Sequence, residues 1–167
     1  RGSTPSVTGR GNLSFTSINL VRLALQSQTV DQMFEAVQET SKLACRQLLT
    51  RYELQANRTA DEFPFLYQHV WKEGETLRGE DNVGPVLRHG TLAVGFIGLA
   101  ECLTVLTGSH HGHSELAHRI GVALIQAMRT VVDNYGARTR LNFSLLATPA
   151  EGLSGKFTRQ DISDFGE

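Results

Sequence analysis

Two stretches of this chain alternate apolar and polar residues with the period of a β-strand. The first is Asn12–Ile18, in which Leu13 and Phe15 alternate with small polar residues, and the second is Leu141–Leu145. This alternation predicts two strands that each bury one face. The first strand is predicted to have one polar face, whose residues, all able to form hydrogen bonds, are Asn12, Ser14 and Thr16.

Between these strands, helical spacing of apolar residues predicts a long helix that begins after Thr29. Thr29 is a suitable N-cap, and Gln32 stands where a capping-box partner belongs. We expect this helix to extend to about Tyr52 or Gln55. Its predicted apolar face consists of Val30, Met33, Phe34, Val37, Ala44 and Leu48.

A second long helix is predicted to begin after Ser114. The Ser114 side chain can cap it, Glu115 in the first turn favours the helix dipole, and Gly136 is expected to end it. Its predicted apolar stripe consists of Leu116, Ile120, Leu124, Ala127, Met128 and Val131.

The stretch Gly90–Leu106 is almost entirely apolar or small. It is too short to span a bilayer, and we interpret it as a deeply buried helix in which Gly95 and Gly98 allow close backbone packing. Gly108 is expected to end that helix.

The remaining stretches are predicted to be irregular. Arg1–Gly11 and Asn57–Pro64 are expected to be loops, and Lys156–Glu167 is a polar tail. Phe63–Tyr67 is an aromatic patch around a proline, more typical of a packing anchor than of a pocket wall.

Helices between strands predict an α/β fold with parallel pairing, but two strands are too few for a complete sheet. Either further strands are hidden in the pattern or the chain is part of something larger.

Composition narrows the function classes. The 167 residues suit one domain or a piece of one, with 40% hydrophobic and 20% charged residues, as in globular proteins. A formal net charge of -1 argues against a dedicated nucleic-acid binder. The two cysteines do not make a disulfide scaffold, and neither a signal peptide nor a membrane span is recognisable. We therefore expect a soluble protein of the cytoplasm.

The most informative candidate site is the stretch Leu146–Gly155, which follows a predicted strand. Its glycines let backbone N–H groups approach an anion, a following helix start would add its dipole, and Thr148 and Ser154 offer hydroxyl groups. The pattern makes phosphate binding a candidate function, but taken alone it is more typical of an ordinary surface loop with turn residues. It lacks the Gly-Lys-Ser/Thr ending of a Walker A loop, and Glu151 opposes an anion unless its backbone makes the contact.

Other candidate sites are weaker. Asn12 follows Gly9-Arg10-Gly11 and is able to aim an amide into a site, or it satisfies local backbone groups. The histidines His110, His111, His113 and His118 suggest a metal site, but solvated or capping histidines are the preferred interpretation. Cys45 and Cys102 lie among apolar residues and are interpreted as buried, inert thiols.

Several of these stretches together resemble anaerobic, class III ribonucleoside-triphosphate reductases. Gly9–Leu20 is similar to a strand segment of that family, and Thr91–Glu101 with Leu106–Gly112 is similar to a helix and loop. Asn142–Phe157 is the closest and most specific match. The blocks follow the family order and span nearly the whole chain.

The resemblance implies a partial ten-stranded α/β barrel of the glycyl-radical enzyme type, with residues 1–167 forming a single segment of the catalytic barrel domain. It implies an oxidoreductase that reduces ribonucleoside triphosphates to deoxyribonucleotides for DNA replication under anaerobic conditions. A glycyl radical, installed by a radical-SAM activase, would generate a thiyl radical on a finger-loop cysteine. Formate or a thioredoxin-like system would supply the electrons, the nucleotide would carry Mg²⁺, and the parent enzyme would be a homodimer that binds neither nucleic acid nor membrane.

Carried over residue by residue, the resemblance makes Asn12 an active-site residue that hydrogen-bonds substrate. The substrate-phosphate loop would comprise Thr148, Pro149, Ala150, Glu151, Gly152, Leu153, Ser154 and Gly155. No metal ligand is assigned.

Some family features have no counterpart here. No cysteine precedes Arg10, neither Cys45 nor Cys102 matches the thiyl position, and the glycyl-radical motif, the zinc-binding cysteines and the ATP-cone are absent. We therefore expect an interior slice of the barrel that is inactive alone. The alternative function is a non-catalytic helical interaction module that uses the Val30–Leu48 face.

Overall fold

The computed structural model describes residues 11–166, so the predicted N-terminal loop lies almost entirely outside the described residues. In chain order the elements are β1 (Asn12–Asn19), α1 (Leu20–Gln26), α2 (Val30–Ala56), α3 (Pro64–His69), α4 (Gly84–Leu87), β2 (Thr91–Ile97), α5 (Leu99–Thr107), α6 (Glu115–Thr139), β3 (Asn142–Ala147) and α7 (Glu151–Phe165). Two single-turn 3₁₀ helices, Ala60–Glu62 and Gly74–Thr76, lie in the connection between α2 and β2.

The three strands form one parallel sheet in the order β1-β2-β3. In the register of the sheet, Ser17 of β1 lies beside Gly95 of β2, which lies beside Leu146 of β3. The predictions of an α/β fold, of parallel pairing and of strands at β1 and β3 are confirmed.

The predicted buried helix over Gly90–Leu106 is wrong, because this stretch forms strand β2 followed by helix α5. Gly98 separates the two elements in a left-handed conformation, with φ of 80°. A central parallel strand has neighbours on both sides and is covered, so its sequence is continuously apolar, and periodicity alone does not distinguish it from a buried helix. Strand β2 is therefore a third strand that the apolar pattern did not distinguish from a helix.

The two long helices begin where the sequence predicts. The Thr29 hydroxyl accepts a hydrogen bond from the Gln32 N–H at 3.2 Å, and the Ser114 hydroxyl accepts one from the Ala117 N–H at 3.3 Å. Helix α6 continues past Gly136 to Thr139, and Arg140 then adopts the left-handed conformation that ends it. The predicted end at Gly136 is therefore wrong.

The main core lies between one face of the sheet and helices α2 and α6. Its fully buried large side chains include Leu20, Met33, Leu48, Leu92, Leu103, Leu124 and Met128. Leu116, predicted to belong to the α6 stripe, is 56% exposed. The predicted apolar face of α2 packs into this core, where Met33, Val37 and Leu48 are completely buried. It is therefore not available as the interaction surface of a helical module.

A second, smaller apolar cluster lies around α4, where Ala60, Val83, Val86 and Leu87 are buried. Phe63 and Tyr67 pack against it, which confirms the packing-anchor interpretation for these two residues, whereas Phe65 is 66% exposed. The predicted loop Asn57–Pro64 contains a 3₁₀ turn and the first residue of α3.

Candidate active-site pocket

The face of the sheet opposite to α2 and α6 is called the open face here. Strand alternation places Phe15 and Ser17 on it, because Ile18 belongs to the core. A pocket of about 500 Å³ lies on this face at the end of β3. Its lining residues are Asn12, Phe15, Gly95, Leu146, Thr148, Pro149, Ala150, Glu151, Gly152 and Leu153.

The pocket brings together predicted site residues from two distant parts of the chain. Asn12 and the loop residues Thr148–Leu153 all line it. Ser154 instead lines a neighbouring pocket between α1 and α7, and Gly155 is not among the residues that line either one. Of the predicted phosphate-loop residues, six therefore share one cavity with Asn12.

The predicted loop is a tight turn between a strand and a helix. Strand β3 ends at Ala147, the Thr148 N–H donates to the Phe96 carbonyl oxygen at 3.1 Å, and Ala150 adopts the left-handed conformation with φ of 54°. Helix α7 then begins at Glu151, so the predicted polar tail is helical as far as Phe165. Ala150 provides no side-chain cap, and the N–H groups of the first turn of a helix have no intrahelical acceptors.

Asn12 is held by the backbone at the start of the sheet. With its amide nitrogen as donor, the side chain bonds to the carbonyl oxygens of Thr91 at 3.0 Å and Ser14 at 3.1 Å. This agrees with the interpretation that Asn12 satisfies local backbone groups, and it leaves the amide oxygen as the acceptor for another group. The Ser14 hydroxyl points the other way and accepts a hydrogen bond from Arg51 of α2 at 3.2 Å. The predicted common polar face of β1 is therefore wrong, because an irregularity in the β1–β2 register separates Asn12 from Ser14.

A hydroxyl pair on the open face was not predicted from the sequence. The Ser17 Oγ and Thr148 Oγ1 atoms are 2.9 Å apart and share a hydrogen bond across the width of β2. Gly95 lies between these two residues in the sheet. No short sequence motif links positions so far apart in the chain.

Helix α7 is attached to the end of β1 by a polar cluster that the sequence also did not reveal. Asp161, only 7% exposed, accepts hydrogen bonds from Arg22 Nε at 2.8 Å and Asn19 Nδ2 at 2.7 Å. Arg22 also donates to Asp164 at 2.6 Å, and its guanidinium lies 5.5 Å from the ring centre of Phe165. The hydrogen bonds to Asp164 and then to Asp161 raise the pKa of Arg22. This cluster fixes the direction in which the first turn of α7 faces the pocket.

The lining of the pocket carries one charged side chain, that of Glu151, among the described residues. Binding of an anion there would rest on backbone N–H groups, the dipole of α7 and the Thr148 hydroxyl.

Both cysteines are buried in the main core as free thiols, which confirms their interpretation as buried thiols. Burial raises the pKa of the Cys45 thiol to about 11 and that of the Cys102 thiol to about 12. Neither residue lines the pocket on the open face. They therefore remain protonated and remote from the candidate site at neutral pH.

Because burial raises the pKa of both thiols, we expect the free energy of unfolding to fall in alkaline solution. Their pKa values are higher in the folded chain than in the unfolded one, so unfolded chains release protons first as the pH rises above about 9. Each thiol then lowers the free energy of unfolding by up to about 1.4 kcal/mol per pH unit until the folded pKa is reached. Denaturant unfolding between pH 8 and pH 11 measures this slope, and a Cys45→Ala variant should show a smaller one. An unchanged slope in the Cys45→Ala variant would contradict the assignment of this stability loss to the Cys45 thiol.

Of the four histidines considered as a metal site, His110, His111 and His113 lie in the turn between α5 and α6, whereas His118 lies in α6. His110 accepts a hydrogen bond from the Gly112 N–H at 3.0 Å through Nδ1, and its ring centre lies 4.1 Å from that of His113. Within residues 11–166, no group of three or more His, Cys, Asp or Glu side chains is arranged to hold a metal ion. None of the described helices is both long enough and apolar enough to cross a membrane.

Structural comparison connects this fold with known enzymes. Crystal structures of the anaerobic ribonucleotide reductase from Thermotoga maritima, one with citrate in the active site and one in complex with dATP and CTP, each superpose with a TM-score of 0.77 over 95% of this chain. Sequence identities are 17% and 16%, and the match covers 27% and 25% of those chains. The likeness establishes a shared fold.

Sequence comparison gives the same family. The anaerobic ribonucleoside-triphosphate reductases of Salmonella typhimurium and of Enterobacteria phage T4 are 33% and 30% identical to this chain over 162 and 165 residues. Each match covers 95% of this chain but only 23% and 26% of the relatives, so the chain spans about a quarter of their length. The family model described as anaerobic ribonucleoside-triphosphate reductase matches residues 2–167. The chain therefore belongs to the anaerobic ribonucleoside-triphosphate reductase family.

Proposed function

We propose that this chain is a segment of the catalytic barrel of an anaerobic ribonucleotide reductase and that its open-face pocket holds the phosphates of a ribonucleoside triphosphate. The observation that carries this proposal is the convergence of Asn12 and Thr148–Leu153 on one cavity. The outer edges of β1 and β3 have no strand partner within residues 11–166, as expected of three strands from a larger, ten-stranded barrel.

The start of α7 supports the phosphate role. Ala150 is a non-glycine residue in the left-handed conformation, and the helical residues that follow it orient successive N–H groups towards one side. The helix dipole places partial positive charge at the same point. Gly152 faces open space, because a Cβ atom there would meet nothing within 4 Å. A phosphate group is therefore able to approach the backbone closely.

Asn12 and Thr148 would fix the rest of the substrate. The Asn12 amide oxygen is the acceptor left by its two bonds to carbonyl groups and is suited to a ribose hydroxyl. Thr148, which lines the same pocket, offers a hydroxyl donor. The contribution of these residues to the rate is positioning, since radical abstraction of a hydrogen atom requires the ribose to be held at a fixed distance and orientation.

The radical centres belong to other parts of the complete enzyme. Its glycyl radical would be installed by a radical-SAM activase and would generate the thiyl radical, with formate or a thioredoxin-like system as electron donor. Cys45 and Cys102 take no part, because both are buried in the core away from the pocket. The complete enzyme would act as a homodimer on Mg²⁺-bound ribonucleoside triphosphates. The Thermotoga maritima enzyme has been crystallised with dATP and CTP, which supports nucleotides as the ligand class.

Calorimetric titration of the full-length subunit with a ribonucleoside triphosphate and Mg²⁺ tests the proposal. Thr148→Val removes the hydroxyl at nearly constant volume and is expected to weaken binding by about three- to tenfold, since a net hydrogen bond contributes about 0.5–1.5 kcal/mol. Ser154→Ala is the matched control, because Ser154 lies outside the pocket. Equal affinities for wild type and Thr148→Val would contradict the phosphate role of the loop.

Glu151 provides a prediction of opposite sign. Glu151 lines the pocket and its negative charge would repel a triphosphate, so Glu151→Gln is expected to tighten nucleotide binding by about two- to fivefold at low ionic strength. The gain should shrink as salt is added, because salt screens exposed charges. Weaker binding by Glu151→Gln would instead indicate that the carboxylate holds the nucleotide's Mg²⁺.

A further inference from the structure

The hydroxyl pair of Ser17 and Thr148 joins the outer strand β1 to the turn after β3. The two oxygen atoms are 2.9 Å apart, and the pair is partly buried. Thr148 lines the candidate pocket, whereas Ser17 is not among the lining residues. Ser17 therefore contacts the residue that would meet the substrate, rather than the substrate itself.

We propose that Ser17 is a positioning residue that orients the Thr148 hydroxyl towards the substrate phosphates, and that Gly95 is required to leave room for this pair. This inference rests on the proposed function of the pocket. It adds two residues, one on each of the other strands, to the machinery that recognises the nucleotide.

The direction of the hydrogen bond follows from the chemistry of the ligand. A phosphate oxygen only accepts hydrogen bonds, so Thr148 must donate its single proton to the ligand. The oxygen of Thr148 then still has lone pairs, and the Ser17 hydroxyl donates to it. Ser17 thus holds the Thr148 side chain in the rotamer whose proton points into the pocket, and polarisation along the chain of hydroxyls strengthens the terminal donor.

The hydroxyl pair also explains why position 95 carries a glycine. Its backbone is not in the left-handed region, so the glycine is not required by conformation. A Cβ atom at this position would overlap the Thr148 hydroxyl oxygen and approach Ser17 Oγ to 2.9 Å. Any side chain at position 95 would therefore displace the Thr148 hydroxyl and break the pair.

A double-mutant cycle in the full-length subunit tests the proposal. The affinity for Mg²⁺-bound ribonucleoside triphosphate is measured for wild type, Ser17→Ala, Thr148→Val and the double variant, with thermal unfolding recorded for each. We expect Ser17→Ala to weaken binding about three- to fivefold, because it removes the partner that orients Thr148 without removing the donor. The double variant should bind no more weakly than Thr148→Val alone, since Ser17 acts through Thr148.

The same cycle with Gly95→Ala in place of Ser17→Ala is expected to give a similar loss of affinity and the same lack of additivity.

The outcomes separate this inference from the proposed function. If Thr148→Val weakens binding but Ser17→Ala changes only the unfolding temperature, Ser17 is merely structural and the inference is wrong while the proposed function stands. Additive losses in the double variant would also overturn it. If Thr148→Val has no effect, the inference and the phosphate role of Thr148 are overturned together.

Discussion

Replacement of Gly152 by valine is expected to weaken binding of a ribonucleoside triphosphate by the full-length subunit at least tenfold. Gly152 lines the pocket in the first turn of α7, and beyond its chain neighbours and the adjoining helix backbone a Cβ atom there would meet nothing within 4 Å. A branched side chain would fill the space through which a phosphate reaches the backbone N–H groups. Loss of a hydrogen bond to a charged group costs about 1.5–3 kcal/mol, which corresponds to a tenfold or greater change in affinity.

The stability of the protein should not fall in this variant. Valine has a higher helix propensity than glycine, by a few tenths of a kcal/mol, and its Cβ atom would point into open space. Gly155→Val is the matched control, since Gly155 lies in the same helix but does not line the pocket, and its Cβ would only touch Arg159 at 3.7 Å. Isothermal titration of both variants, alongside denaturant unfolding, measures the two effects separately.

Two results would contradict this prediction. Unchanged affinity in Gly152→Val would mean that the phosphates lie elsewhere. An equal loss in Gly155→Val would mean that both glycines serve the helix rather than the ligand. The expected result, weaker binding with undiminished stability, would show that the chain has a glycine at position 152 for the ligand and not for the fold.

Features determined by neighbouring residues were predictable from the sequence. Thr29 and Ser114 cap α2 and α6 as predicted, because an N-cap needs only a side-chain oxygen and the next three residues. Strand β3 alternates because Phe143 and Leu145 pack against the core. In β1 the alternation predicted the strand but not its buried face, because Phe15 lies on the open face and is 59% exposed. The turn after β3 was selected as a candidate site because its glycines and hydroxyl groups are contiguous in the chain.

Features that depend on distant parts of the chain were not predictable. The pocket joins Asn12 to the turn after β3 only because β2 lies between their strands, and the apolar pattern of β2 predicts a helix instead of a strand. The bond between Ser17 and Thr148 and the attachment of α7 through Arg22 and Asp161 link residues more than a hundred positions apart. Helix α7 begins directly after Ala150, a residue whose left-handed conformation no propensity would predict.

The junction between β2 and α5, at Gly98, provides the second large expected effect. Gly98→Ala should lower the free energy of unfolding by about 2–5 kcal/mol, because two separate costs add. The first is the left-handed backbone, with φ of 80° at Gly98, which costs an L-residue about 1–2 kcal/mol. The second is overpacking, typically about 1–3 kcal/mol, since a Cβ atom at Gly98 would press on the Val21 side chain of α1.

Gly108→Ala isolates the first cost. Gly108 is also left-handed, with φ of 77°, but a Cβ atom there would meet nothing within 4 Å. Its variant should therefore lose only about 1–2 kcal/mol in denaturant unfolding. Equal losses in the two variants would show that α1 yields without cost. A larger loss at Gly98 would instead establish that the junction of β2 and α5 packs tightly against α1. This contact would fix the position of β2 in the sheet, and with it the position of Gly95 next to the Thr148 hydroxyl.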